Sequence, residues 1–174
     1  PKTWPDLFDS AKKLKAAGYD KCGFATAWIT WVNLEQFSVW HNVPLATKAN
    51  GIDGFDTELK FNSPLHVKHL TNLVELQKDK TFDYSGRTNT GEGRFTAGEC
   101  PVMITSSGFY GNVKANAKFE WSNAPMPYYP DVAGAPHLSH ATATEQRTEL
   151  VATAQHPGFV SHAVVSSSSE CSLC

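Results

Sequence analysis

The feature of this chain that most constrains its fold is the alternation of helical and strand-like segments. Apolar residues at helical spacing predict helices over 31–40 and 67–76, and short apolar runs predict strands over 22–25 and 102–105. A capping box near residue 3 predicts the start of a first helix. Strands that alternate with helices are typical of a sheet layered with helices, so the predicted fold class is α/β.

Composition and charge exclude several classes of protein. The chain has 174 residues, of which 41% are hydrophobic and 18% charged, and its net charge is -2. These values fit one globular domain and exclude a polybasic nucleic-acid-binding protein and a strongly acidic disordered chain. No apolar run approaches the roughly 20 residues of a membrane-spanning helix. We therefore expect a domain that neither binds nucleic acid nor spans a bilayer.

Two tryptophans stand where a fold of this class places ligands. Trp28 and Trp31 follow the first predicted strand and open the helix after it, and α/β proteins bind ligands at such positions. Two indole rings three residues apart can form one wall of a pocket for a polyol or a quaternary ammonium group. The alternative is that both rings belong to the core or to an interface.

A second candidate site follows the strand at 102–105. There Ser106, Ser107 and Gly108 precede another predicted helix. Hydroxyls and free N–H groups at a helix start can bind a phosphate or a hydroxyl group, although serine is also a common N-cap that binds no ligand. A hydrolase that uses Ser106 as its nucleophile is an alternative of a different class, but the Gly-x-Ser-x-Gly spacing is absent.

The histidines and glycines do not predict a metal or a cofactor. His66 and His69 lie one helical turn apart without a cysteine or carboxylate partner nearby in the sequence, so we predict that they lie on a solvated helix face. Residues 91–93 read Gly-Glu-Gly and lack the full dinucleotide or phosphate-binding-loop pattern. We therefore expect neither a metal nor a cofactor.

Two cysteines leave two alternatives open. Cys22 and Cys100 each open a predicted strand of what would be one sheet. If the two strands are neighbours, a disulfide bond is geometrically possible, and an oxidising compartment would favour it. The other interpretation is two buried thiols.

Several motifs in register resemble a known family. They are Lys2-Thr3-Trp4-Pro5-Asp6-Leu7, Cys22-Gly23-Phe24-Ala25, Trp28-x-x-Trp31, Lys48-x-Asn50-Gly51-x-Asp53-Gly54, Phe82-x-Tyr84-x-Gly86-Arg87 and Phe95-x-x-Gly98-x-Cys100. Over about residues 1–136 the chain resembles the bacterial extracellular solute-binding proteins of ABC importers. Within that family it is most similar to the branch that binds sn-glycerol 3-phosphate.

The resemblance implies a fold and a domain boundary. Residues 1–136 would be part of the C-terminal lobe of a two-lobed periplasmic-binding-protein-like clamshell, whose hinge closes on the ligand. The other lobe would lie outside this sequence. The likeness ends there, and we expect residues 137–174 to be an unmatched tail, disordered or aberrant, as a change of reading frame would produce.

The same resemblance implies a function. We expect a periplasmic, monomeric protein that captures glycerol 3-phosphate or a glycerophosphodiester, delivers it to ABC permease subunits and catalyses no reaction. A saccharide-binding member of the same family is the alternative. By this resemblance, Trp28 and Trp31 form an aromatic wall and Ser106 donates a hydrogen bond. The secondary candidates are Ser107 and Gly108, which shape the loop, and Phe109, which extends the wall.

Overall fold

The computed structural model describes residues 1–132 and, beyond them, the backbone of four short strands between residues 152 and 166. The predicted tail at 137–174 therefore lies largely outside the described residues, and its disorder stays a prediction. None of the helices in the described part of the chain is long and apolar enough to cross a bilayer.

Helices and strands alternate along the chain, which agrees with the predicted α/β class. The α-helices are α1 (Trp4–Ala16), α2 (Phe37–Trp40), α3 (Thr47–Gly51), α4 (Pro64–Lys78), α5 (Thr90–Thr96) and α6 (Tyr110–Asn116). A π-helical turn (Trp31–Gln36) leads into α2, and a 3-10 turn (Ser107–Phe109) leads into α6. The strands are β1 (Phe24–Thr26), β2 (Phe82–Tyr84), β3 (Val102–Ser106), β4 (Asn123–Ala124), β5 (Ala152–Thr153), β6 (Gln155–His156), β7 (Phe159–Val160) and β8 (Ala163–Ser166).

The main sheet has the strand order β2-β1-β3-β8-β4, and neighbours in this order run parallel. In its register, Ala25 of β1 lies between Asp83 of β2 and Met103 of β3. Strand β5 adds an antiparallel pairing to the start of β3, while β6 and β7 form a separate antiparallel pair. Strand β1 is therefore paired on both sides by strands that run in its own direction.

Helix α1 forms as its sequence predicts. Thr3 accepts a hydrogen bond from the N–H of Asp6, and the Asp6 carboxylate accepts one from the N–H of Thr3, which completes a capping box. Trp4 and Leu7 are fully buried on the inner face. Beyond the helix end, Gly18 takes a left-handed conformation, with φ +91°.

The two cysteines that precede β1 and β3 are joined. Cys22 and Cys100 form a disulfide bond, with their Cα atoms 5.0 Å apart and 78 residues apart in the sequence. The alternative of two buried thiols is therefore excluded by the structure. The bond ties the amino ends of two neighbouring strands, and both cysteines are fully buried.

The histidines of α4 are buried, so the prediction of a solvated helix face is wrong. His66 and His69 are both 0% exposed, whereas Val67 and Val74 of the same helix are 54% and 60% exposed. The apolar pattern thus identified the inner face of α4 only in part, since its Leu73 and Leu76 are buried. The reason is that the interior next to α4 contains hydrogen-bonding groups that an imidazole ring can satisfy.

Each of these imidazole rings has neutral partners. The hydroxyls of Ser38 and Ser63 lie 2.7 Å from Nε2 and Nδ1 of His66. Nε2 of His69 lies 3.0 Å from Oδ1 of Asn33. A buried polar ring is tolerated when its nitrogens are paired, and it does not need to be charged.

A third histidine, His41, is also buried and neutral. Its Nδ1 donates to the carbonyl oxygen of Phe37 (2.8 Å), and its Nε2 accepts from the backbone N–H of Tyr129 (3.1 Å). Burial lowers the pKa of His41 to about 4. Burial is also the main cause that lowers the pKa of His66 and of His69.

Stability should fall as the solution is acidified from pH 7 to pH 4. Between the ordinary pKa of 6.5 and the folded value of about 4, His41 binds a proton in the unfolded chain but not in the folded one. Acidification through this window therefore lowers the free energy of unfolding, by about 3 kcal/mol for His41 alone. Urea denaturation at several pH values measures this slope, and a His41→Gln variant should flatten it. A free energy that is constant over the window would contradict the burial argument.

Reduction of the disulfide bond should also destabilise the domain. Closing a loop of 78 residues removes entropy from the unfolded chain worth about 4 kcal/mol. The Cys22→Ser/Cys100→Ser double variant should therefore unfold at a lower urea concentration than the oxidised protein. A Cys171→Ser/Cys174→Ser variant is the matched control and should stay sensitive to reductant. Equal midpoints for oxidised and reduced protein would show that the bond contributes nothing.

Candidate functional site

The candidate site lies at the carboxyl edge of the parallel sheet. Thr26, the last residue of β1, pairs in register with Tyr84 at the end of β2 and with Ile104 in β3. The N–H of Ala27 donates to the carbonyl oxygen of Ile104 (3.0 Å), which extends the pairing by one residue. The loops that follow these three strands therefore begin at one edge, where open α/β sheets bind ligands.

Trp28 occupies this edge in a strained conformation. Its φ is +51°, a left-handed value that a bulky residue rarely adopts, and the residue is 38% exposed. The backbone is held by two hydrogen bonds: its N–H donates to the carbonyl oxygen of Thr88, and its carbonyl oxygen accepts from the N–H of Val32, both at 2.9 Å. Local strain of this kind is common at binding sites.

Trp31 is placed differently from Trp28. It begins the π-helical turn, and its ring is half-buried against the hydrophobic core. Trp31 thus combines features of the two interpretations offered by its sequence position, since it contacts the core and still has an exposed portion. Single π-helical turns are rare and often occur at functional sites.

The serine loop (Ser106, Ser107 and Gly108) lies at the end of β3, and its Ser106 is the N-cap of the 3-10 turn. Oγ of Ser106 accepts a hydrogen bond from the N–H of Gly108 at 3.1 Å. The hydroxyl proton of Ser106 can still donate to a ligand. Ser107 is half-buried and Gly108 is exposed, whereas Phe109 is only 4% exposed and packs near Phe95, with ring centroids 6.3 Å apart. Little of the Phe109 ring is left for the proposed aromatic wall.

Glu92 is a residue of this edge that the sequence did not single out. Its Oε1 accepts a hydrogen bond from Oγ1 of Thr105 (2.6 Å). Burial raises the pKa of Glu92, and the hydrogen bond from Thr105 partly opposes the rise. In the sequence Glu92 stands in a short glycine-rich segment, and no local pattern distinguishes it from a turn residue.

Other features of the molecule fit a polar ligand less well. A cavity of about 370 Å³ lies between α4 and β2, with walls that include Leu70, Leu73 and Phe82. Its lining is mostly apolar and holds no cationic side chain for a phosphate, although Gln77 and Tyr84 also line it. Within the described residues, no three histidine, cysteine or acidic side chains come together as metal ligands.

Comparison with known proteins identifies the family. The family model for bacterial extracellular solute-binding proteins matches residues 1–160. The chain belongs to this family. Members bind solutes rather than transform them, and their fold has two lobes. The α/β unit described above is part of one lobe, as the motifs predicted.

The names of several relatives within the family also state the ligand that those proteins bind. The sn-glycerol-3-phosphate-binding periplasmic protein of Brucella abortus (strain 2308) is 45% identical over 129 residues, which are 74% of this chain and 30% of the relative. Its counterpart from Rhizobium meliloti (strain 1021) is 42% identical over 129 residues, with the same coverage of 74% and 30%. The counterpart from Salmonella paratyphi A is 45% identical over 136 residues, which are 78% of this chain and 31% of the relative. The chain thus spans about 30% of the length of these relatives.

Removing the hydroxyl that binds Glu92 should destabilise this solute-binding domain. A Thr105→Val variant leaves a half-buried carboxylate without the hydroxyl that donates to it, and we expect a loss of about 1–2 kcal/mol at pH 7. Thr105→Ser keeps the hydroxyl and is the matched control. Urea denaturation of both variants measures the difference. If valine is tolerated as well as serine, the hydrogen bond is not contributing to stability.

Proposed function

We propose that this chain captures sn-glycerol 3-phosphate, or a glycerophosphodiester, at the carboxyl edge of its sheet. It acts there as part of a periplasmic receptor that delivers the ligand to the permease subunits of an ABC importer. The names of the relatives, which are 42–45% identical, support the ligand and the compartment. Membership of the extracellular family supports the role as a receptor.

The observation that carries the proposal is the exposed, strained Trp28 at the end of β1. A large aromatic residue that stays 38% exposed loses hydrophobic stabilisation, and its positive φ adds a conformational cost. Both costs are expected where the indole ring contacts a ligand. The neighbouring strand ends at Ser106, whose hydroxyl can donate to a ligand oxygen, so the same edge offers an apolar face and a polar group.

This edge is one wall of a cleft. Small-molecule sites bury 70–90% of the ligand between several walls. Two indoles and one hydroxyl on a single sheet edge contact only part of a glycerol phosphate. We therefore expect the 174-residue chain to bind its ligand with a dissociation constant of about 1 mM or weaker.

The alternatives predict different contacts. A hydrolase would need a base beside Ser106, but the hydroxyl oxygen of Ser106 accepts from Gly108, and the described histidines 41, 66 and 69 have partners elsewhere. A saccharide receptor would use the same aromatic wall. The discriminating property is the response to a phosphate ester compared with a neutral sugar.

Titration with sn-glycerol 3-phosphate tests the proposal directly. The indole N–H resonances of the chain report the binding, and that of Trp28 should shift with a midpoint of about 1 mM. A Trp28→Ala variant should bind at least about tenfold more weakly, because a stacking aromatic face is removed. Trp40→Phe is the matched control, since Trp40 lies at the end of α2, and should bind like the original chain.

Other results would reject parts of the proposal. Equal affinity of Trp28→Ala and the original chain would show that the site is elsewhere. A shift of the same resonances by maltose, but not by sn-glycerol 3-phosphate, would favour the saccharide receptor. Turnover of a glycerophosphodiester, abolished by Ser106→Ala, would establish the hydrolase instead.

A further inference from the structure

The loop that carries both candidate tryptophans is closed by a hydrogen bond between its two ends. This tryptophan loop, residues 26–33, runs from the last residue of β1 into the π-helical turn and contains Trp28 and Trp31. Nδ2 of Asn33, in that turn, donates to Oγ1 of Thr26 at 3.2 Å. The two ends of the loop are thus joined by side chains, with both indoles between them.

The side chain of Asn33 is itself anchored to the helical layer. Its Oδ1 lies 3.0 Å from Nε2 of His69, in the second turn of α4. Asn33, Thr26 and His69 are each at most 1% exposed, so water does not compete for these hydrogen bonds. Buried hydrogen bonds of this kind are strong and directional. The single amide of Asn33 therefore bridges β1 and α4.

The directions of these bonds fix the protonation of His69. Because the amide nitrogen of Asn33 donates to Thr26, its oxygen faces the imidazole ring, and an amide oxygen only accepts hydrogen bonds. Nε2 of His69 therefore carries a proton. Its Nδ1 lies 3.3 Å from the hydroxyl of Tyr129, which can donate to a bare ring nitrogen. Burial lowers the pKa of His69 well below its ordinary value of 6.5, so the ring is neutral at pH 7.

The same chain of hydrogen bonds reaches the backbone before Trp28. Oγ1 of Thr26 donates to the carbonyl oxygen of Ala27 (3.1 Å), whose N–H in turn donates to the carbonyl oxygen of Ile104 (3.0 Å). The peptide groups on both sides of Ala27 are therefore held just before the chain adopts φ +51° at Trp28. A strained conformation persists only where its surroundings determine it, and Asn33 supplies one of these restraints.

We propose that Asn33 is a positioning residue for ligand binding, because its amide bridges His69 of α4 and Thr26 of β1 and thereby fixes the tryptophan loop. Its role in recognition rests on the proposed function. Asn33 is buried, so it acts through Trp28 and Trp31 and does not contact the ligand. The effect of the amide on the loop is testable without any ligand.

A Thr26→Val variant of the full 174-residue chain tests the restraint at pH 7. Valine has nearly the shape of threonine but cannot accept the hydrogen bond from Asn33. The ring N–H resonances of Trp28 and Trp31 should therefore move, and the backbone order parameter of Trp28 should fall from about 0.85 toward 0.6. The resonance of Trp121, which contacts Tyr110 of α6, should stay in place.

Two further variants separate this effect from a general loss of stability. Thr26→Ser keeps the hydroxyl and should retain the original resonances of the loop. Thr81→Val is the matched control, because Thr81 is also 0–1% exposed but precedes β2, at the amino end of that strand. Urea denaturation measures the stability of each variant. If Thr26→Val leaves the loop resonances and the order parameter unchanged, or Thr81→Val changes them equally, the inference is overturned.

An Asn33→Asp variant tests the direction of the hydrogen bonds. A carboxylate cannot donate to Thr26, and its charge would face the Nε2 proton of His69, which favours the imidazolium form. The ring nitrogen resonances, assigned with His69→Gln, should show one protonated nitrogen in the original chain and two in Asn33→Asp at pH 7. A bare Nε2 in the original chain would overturn the inference. If the aspartate variant does not fold, Thr26→Val decides.

Titration with sn-glycerol 3-phosphate separates this inference from the proposed function. Thr26→Val should bind about three- to tenfold more weakly than the original chain, because the loop must be ordered on binding, while Thr81→Val should bind equally well. Equal affinity of Thr26→Val, despite a loosened loop, would overturn the inference. Failure of the original chain and of every variant to bind would reject the proposed function, and the order parameter of Trp28 would still decide whether Asn33 fixes the loop.

Discussion

The parallel pairing of β1 with its neighbours is the constraint on which the candidate site depends. At the amino end the Cys22–Cys100 disulfide bond holds β1 beside β3, and at the carboxyl end Ala27 donates to Ile104. A chain that leaves two parallel neighbours must leave them at the same edge. Trp28 therefore emerges next to the serine loop, although the two are far apart in the sequence. Without this pairing, none of the site residues would share a surface.

A buried polar network joins this edge to the helical layer. Nε2 of His69 lies 3.0 Å from Oδ1 of Asn33, the amide of Asn33 donates to Oγ1 of Thr26 (3.2 Å), and Thr26 donates to the carbonyl oxygen of Ala27 (3.1 Å). The network runs from α4 through the π-helical turn to the residue before Trp28. Fully paired buried groups add directional constraints that apolar packing lacks. The lowered pKa of His69 and the geometry of the candidate site therefore depend on the same buried network.

Local rules predicted a large part of this structure. The capping box at the start of α1 and the helices that enclose residues 31–40 and 67–76 were recognisable because their signals lie within a few residues of one another. The motif resemblance was confirmed by the family match over residues 1–160. It also selected Trp28, which the structure does expose. The exposure of the two histidines of α4 was predicted wrongly, because an imidazole ring counts as polar in a sequence pattern and becomes a core residue once its nitrogens are paired.

The sequence by itself determined the α/β class, the family and the chain positions of the candidate ligand residues, since these follow from short-range periodicity and from motifs in register. Only the tertiary structure decided which side chains remain accessible, with Trp28 at the surface and Phe109 in the core. It also joined the two cysteines and placed Glu92 within hydrogen-bond distance of Thr105. Accessibility and hydrogen-bond partners are properties of contacts between distant segments, and such contacts exist only after the strands have paired and the helices have packed on them.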